Sequence, residues 1–239
     1  MMQYSALPVI DVSHMIAPYH LQQAAYLLKA SYRNFPAGSF HVLLFDFFAE
    51  KEPRQVLCEK DGHFFLAPDN GILSLAFDGI LDNVWNCFEM RPENSFNDLL
   101  HKIGSTVKKL YDSSDTSHLE SCSLKNAPLN WKPVYENNTV ECHVIHIDRF
   151  ENVVVNITKD EFESLRHGRS FRIQFMRDEE IHEISRHYND VKESEKLCRF
   201  NSTGYLEIAI NRGAAASLFG LRLHHKQHLM YNTIKIFFE

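Results

Sequence analysis

The sequence predicts an α/β N-terminal domain with a mostly parallel sheet, followed by an all-β C-terminal barrel or sandwich domain. Three observations carry that prediction. A helical stripe at residues 21–32 is flanked by strand-like apolar runs at 7–12 and 40–48, the alternation of an α/β layer. Residues 112–129 are polar and rich in turn formers, which reads as a linker. Beyond them, short strand-like pieces follow one another closely, the pattern of an antiparallel sandwich or barrel. The resulting boundaries are 1–112 for the α/β domain, 113–132 for the linker and 133–239 for the barrel domain.

In chain order, Leu7-Pro8-Val9-Ile10-Asp11-Val12 reads as a short buried strand. Leu21, Ala24, Ala25, Leu28 and Tyr32 then line one helical face, and the cluster Asn34-Phe35-Pro36-Ala37-Gly38 stops the helix. Residues 40–48 are apolar apart from His41 and Asp46, as a buried parallel strand is. An aspartate at the carboxyl end of such a strand lies where α/β proteins place function. Residues 55–59 and 63–66 flank Lys60-Asp61-Gly62 and form a hairpin. A short helix to Phe77, a strand over 84–90 and a helix over 96–111 complete the first domain. The second has strand-like pieces at 140–147, 153–157, 171–175, 181–185, 196–200, 205–210 and 233–238. Thr158-Lys159-Asp160-Glu161 is a capping box that opens a helix to His167, closed by Gly168, and residues 213–219 form an Ala-rich turn closed by Gly220.

Composition narrows the function classes. The 239 residues carry 25 Lys+Arg against 31 Asp+Glu, a formal charge of -6, which argues against a nucleic-acid-binding protein. The 9 glycines are about 4% of the chain where roughly 7% is usual, so a phosphate-cradling glycine loop is not expected. Five scattered cysteines without a Cys-x-x-Cys pair fit neither a disulfide framework nor a zinc knuckle and point to a reducing cytoplasm. Apolar stretches fall far short of the roughly 20 residues of a membrane span, so no membrane partner is expected. Of the 14 histidines, His143 and His146 face opposite sides of a strand, and no metal site is expected.

Four segments in order carry a more specific signal. They are Val9-Ile10-Asp11-Val12-Ser13-His14-Met15-Ile16-Ala17-Pro18-Tyr19 with Gln22-Gln23-Ala24-Ala25-Tyr26; Ala67-Pro68-Asp69-Asn70-Gly71-Ile72-Leu73-Ser74; Ile147-Asp148-Arg149-Phe150-Glu151-Asn152 with the strand after it; and Asn201-Ser202-Thr203-Gly204-Tyr205-Leu206-Glu207-Ile208-Ala209-Ile210-Asn211. Together they resemble the S-adenosylmethionine (SAM) hydroxide adenosyltransferases, relatives of the fluorinase and chlorinase. The resemblance implies a Rossmann-like first domain, a β-barrel second domain and a homotrimer. Its SAM sites lie between the N-domain of one subunit and the C-domain of its neighbour. The reaction implied is attack of water or hydroxide on C5′ of SAM, giving adenosine and methionine, with SAM as substrate and no cofactor. SAM carries no phosphate, in keeping with the glycine count.

Carried over by position, the resemblance makes Tyr19 an aromatic lining of the SAM pocket and Asn70 a neighbour of the catalytic loop. It implies that Asp148 and Asn152 anchor the methionine ammonium and nearby polar groups, with Phe150 as an apolar wall. Ser202 and Asn211 belong to the hairpin bordering the adenine and the carboxylate. For catalysis it implies Asp46, Arg54 and Asn97, with departures at each. The family's loop after the aspartate continues Pro-Gly-Val-Gly, whereas this chain reads Asp46-Phe47-Phe48-Ala49-Glu50. Arg54 stands one place later than the family's arginine, and Asn97 stands where the family has a histidine. The family's opening strand and Thr-Asp-Phe-Gly segment have no counterpart after Met1, for which a start codon placed too late or a truncated gene is the expectation. Asp46 can still orient a water, and Asn97 can bond one without taking its proton. A SAM- or adenosine-binding relative without turnover, and a structural remnant, are the alternative readings.

Overall fold

The structure, a computed structural model, describes residues 8–113, 115–126, 132–223 and 233–239. The chain divides into two compact units, Met1–Leu129 and Asn130–Glu239.

The first unit runs α1 (Leu21–Ser31), β1 (Phe40–Val42), β2 (Arg54–Lys60), β3 (His63–Pro68), α2 (Ile72–Phe77), β4 (Asn83–Glu89), α3 (Phe96–Ser113) and β5 (Glu120–Ser121). The His20 ring caps α1 by accepting the Gln23 N–H at 3.1 Å, and the helix buries Ala24, Ala25 and Leu28 on one stripe. Side-chain alternation along the strands builds a layer on each face of the sheet. Val56, Cys58, Phe65 and Ala67 pack with α1 and α2, while Leu57 and Leu66 pack with Leu99, Ile103, Val107 and Leu110 of α3.

This sheet corrects the expected Rossmann-like, mostly parallel domain. Its order is β1-β3-β2-β4-β5, and among these strands only β1 and β3 run parallel. The reason is local. Asp61 and Gly62, both at positive φ, make a two-residue turn with Lys60 opposite His63, and so short a connection forces β2 and β3 antiparallel. The apolar run at 40–48 contributes strand only over Phe40–Val42, because Asp46 takes a left-handed conformation and a 3-10 turn follows at Phe47–Ala49. Residues 8–12 form no strand, and Val9, Ile10 and Val12 are exposed.

The second unit runs β6 (Val134–Glu136), β7 (Thr139–Cys142), β8 (Val144–Ile147), β9 (Val153–Thr158), α4 (Lys159–Arg166), β10 (Phe171–Met176), β11 (Glu179–Ile181), β12 (Lys196–Phe200), β13 (Tyr205–Ile210), α5 (Ala215–Phe219) and β14 (Ile234–Phe238). The strands form two antiparallel sheets, β11-β10-β14-β7-β6 and β12-β13-β9-β8. The expected barrel is thereby corrected: among the described residues neither sheet closes, and each keeps two edge strands. The apolar run at 140–147 is split between the sheets at His143, whose N–H donates to Asn156 Oδ1 at 2.7 Å and whose carbonyl accepts the Asn156 N–H. One core lies among Val140, Val155, Ile157, Ile173, Ile208 and Ile236, with Phe162 of α4 fully buried and edge-on to Phe171 at 5.0 Å.

A buried histidine pair in the first unit yields a pH prediction. His41 Nε2 lies 3.2 Å from His63 Nδ1, and the His41 ring stacks on Phe65 with Tyr32 edge-on to it. Burial, then the nearby His63, pushes the His41 pKa down to about 4. The folded state therefore resists protonation that the unfolded chain accepts near pH 6.5, so this contribution is present above that pH and is lost as pH falls toward 4. At about 1.4 kcal/mol per pH unit, thermal melts are expected to show about 2 kcal/mol less stability at pH 5 than at pH 6.5. His41→Phe is expected to flatten that slope.

Candidate functional site

In the first unit the predicted residues gather around the loop between β1 and β2. Leu43 N–H still donates to the Leu66 carbonyl at 2.8 Å, after which the chain turns at Phe45 and Asp46. Asp46 has φ 51° and ψ 38°, a conformation that Asp and Asn tolerate better than other side chains. It is exposed, whereas Phe47 is buried and anchors the loop in the α3-side core. Asn70 holds the loop from the other side: its Nδ2 donates to the Phe45 carbonyl at 3.0 Å, and its Oδ1 accepts the Ile72 N–H at 3.2 Å. The side chain that the resemblance placed beside the catalytic loop thus fixes the residue preceding Asp46. Next to the loop is an open depression of about 510 Å³, lined by Phe48, Glu50, Pro53, Arg91 and Asn94 among others.

Arg54 is bound elsewhere. Its Nε donates to Asp69 Oδ2 at 3.0 Å, its Nη2 donates to the same oxygen, and Nη2 also donates to the Ser123 carbonyl at 3.0 Å. Asp69 is buried, and its Oδ1 accepts the Lys125 N–H at 2.8 Å. The hydrogen bonds that Arg54 donates to Asp69 raise the Arg54 pKa above its ordinary value. The pair ties the start of β2 to the end of β3 and to residues 123–125. In the sequence Asp69 is marked only as part of the Ala67–Ser74 segment, because nothing in its spacing signals a partner on another strand.

Asn97 sits exposed in the first turn of α3. Its neighbours form a reciprocal cap: Ser95 N–H donates to Asp98 Oδ2 at 2.7 Å, and Asp98 N–H donates to Ser95 Oγ at 3.2 Å. Tyr19, at φ 62° and 84% exposed, projects from the turn before α1.

In the second unit Asp148 organises the β8–β9 turn. Its Oδ1 accepts the N–H groups of Phe150 and Asn152 at 2.8 and 2.9 Å, and its Oδ2 accepts the Asn152 amide at 3.0 Å. Asn152 is buried, and the turn projects Phe150 with 78% of its surface exposed. Glu151 reaches α5, where its carbonyl accepts the Ala216 N–H and its carboxylate the Ser217 N–H. Ser202 is exposed at the tip of the β12–β13 hairpin. The tip is set by Asn201, whose Oδ1 accepts from the Thr203 and Tyr205 N–H groups at 3.0 and 3.2 Å. Asn211, just past β13, donates from Nδ2 to the Val191 carbonyl at 2.8 Å. Among the described residues no group of three or more His, Cys, Asp or Glu side chains could hold a metal ion, and no helix is long and apolar enough to cross a membrane.

Comparison with known proteins bears on this arrangement. The sequence profile of the SAM hydroxide adenosyltransferase N-terminal domain matches residues 1–108, and that of the C-terminal domain matches 142–227. An (R)-S-adenosyl-L-methionine hydrolase of Methanocaldococcus jannaschii is 25% identical over 93% of this chain and 83% of its own length. One from Salinispora tropica is also 25% identical, over 89% of this chain and 82% of its own. A crystal structure of an uncharacterized conserved protein from Thermotoga maritima superposes with TM-score 0.78 at 23% identity, over 97% of this chain and 89% of that one, which shows a shared fold.

Proposed function

The chain belongs to the SAM hydroxide adenosyltransferase family, and from that premise we propose that it hydrolyses SAM to adenosine and methionine. The observation that supports this most is coverage by both family domains together with hydrolase relatives along nearly the whole chain. In this reading a water oxygen forms a bond to C5′ of SAM as the bond from C5′ to the sulfonium sulfur breaks. The sulfur keeps the electron pair and leaves as the neutral thioether of methionine. The water's proton passes to the Asp46 carboxylate and on to solvent. A sulfonium is already a good leaving group, so oriented water and a modest base suffice and no cofactor is required. A halide nucleophile is disfavoured, because the exposed Asp46 carboxylate repels an anion.

We assign roles from the resemblance together with each residue's surroundings. Asp46 orients the water, and Asn70 fixes the loop that presents it. Arg54, occupied by Asp69, acts through the loop's anchorage instead of on the water. Asn97 offers hydrogen bonds from its helix turn. Tyr19 and Phe150 supply exposed aromatic surface to the substrate, and the Asp148–Asn152 turn with Ser202 and Asn211 presents polar groups to its amino-acid and adenine ends. The resemblance implies a homotrimer in which neighbouring subunits complete the sites, and exposed Val9, Ile10, Val12 and Met15 offer apolar surface that such self-association can cover. Five free cysteines favour a cytoplasmic setting. The test is hydrolysis in heavy-oxygen water: adenosine is expected to carry the label at its 5′-hydroxyl, and unlabelled adenosine contradicts water as the nucleophile.

A further inference from the structure

Strand β13 buries one carboxylate, that of Glu207, in the middle of an otherwise apolar strand. It lies directly across from Arg199 on β12 and from Val154 on β9. The Tyr188 hydroxyl donates to Glu207 Oε1 at 2.7 Å, and the Arg199 guanidinium covers the Tyr188 ring at 4.7 Å from its centre. The Asn201 side chain also hydrogen-bonds this carboxylate, and Asp148 is close enough to act on it electrostatically. Burial, the largest influence, pushes the Glu207 pKa above its ordinary value.

A buried carboxylate is a poor way to gain stability, since an apolar side chain of similar size does as well or better at such a position. What Glu207 supplies is geometry. It reaches the base of the Asn201–Gly204 hairpin tip through Asn201, neighbours the Asp148 turn, and pins the segment around Tyr188 to the sheet. The same segment is held a second time by Asn211, whose amide binds the Val191 carbonyl. These segments carry Asp148, Asn152 and Ser202, and one of them is bound by Asn211.

We propose that Glu207, through Tyr188, Arg199 and Asn201, is a positioning residue that sets the polar turns receiving the amino-acid head of SAM. The proposal rests on the SAM hydrolase reading above. Because that head is remote from C5′, disturbing it weakens binding more than chemistry. The experiment is steady-state kinetics with SAM on the full chain, comparing wild type with Glu207→Leu, Glu207→Gln and Tyr188→Phe, each with a thermal melt. Glu207→Leu and Tyr188→Phe are expected to raise KM roughly tenfold with kcat within about twofold. Glu207→Gln, whose amide oxygen still accepts from Tyr188, is expected to stay within about threefold of wild type. Unchanged KM in Tyr188→Phe, or a Gln variant as impaired as the Leu variant, overturns the positioning role. Should Glu207→Leu fail to fold, Tyr188→Phe decides the matter. A wild-type protein that makes no adenosine overturns the hydrolase reading and this proposal with it, whereas normal wild-type turnover with unshifted variants overturns this proposal alone.

Discussion

Asp46→Asn is expected to slow adenosine formation by about a hundred- to ten-thousand-fold while leaving the fold intact. The substitution isolates chemistry from stability. Asn adopts the left-handed conformation at φ 51° as readily as Asp does, and the side chain is exposed, so no buried contact is lost. The melting temperature is therefore expected to stay within about 1 °C of wild type. What Asn lacks is an atom that takes the water's proton. Steady-state rates and a melting curve on the same preparation check both halves. Undiminished turnover removes Asp46 from the mechanism.

Arg54→Ala is expected to act in the opposite sense, on stability first. It strands the Asp69 carboxylate in the core with the Lys125 N–H as its remaining hydrogen bond among those described. Removing one partner of a buried ion pair costs about 3 kcal/mol, which for a chain of this size lowers the melting temperature by roughly 6–12 °C. Adding Asp69→Asn to the variant removes the stranded charge and is expected to recover part of the loss. A thermal melt of the two variants measures this. An Arg54→Ala protein that melts like wild type yet turns over nothing contradicts the anchoring role and returns Arg54 to the reaction centre.

Local patterns were the most legible part of the fold. The capping box at Thr158 forms with both reciprocal bonds, and the Asp61-Gly62 turn joins the hairpin. Both signals are contained within a few residues. Strand direction and sheet closure depend on pairings far apart in sequence. The apolar run at 40–48 matches a buried strand in composition, yet Asp46 turns the backbone after three paired residues. The run at 140–147 likewise gives no sign that His143 moves the chain from one sheet to another. Asn137 and Asn138, both at positive φ, make the β6–β7 hairpin turn, a signal as local as the Asp61-Gly62 turn. In the candidate site the same limit holds. The resemblance nominates Asp148, Asn152 and Asn70 as candidates but gives no sign of the hydrogen bonds that hold the Asp148 turn together and tie Asn70 to the Phe45 carbonyl. The Arg54–Asp69 and Tyr188–Glu207 pairs join residues on different elements and have no signature in spacing.

Incubation of the purified protein with SAM, followed by chromatography of the products, tests the central claim most directly. Adenosine and methionine are expected to accumulate in equal amounts at a rate proportional to protein concentration. No adenosine above the uncatalysed background contradicts the hydrolase assignment.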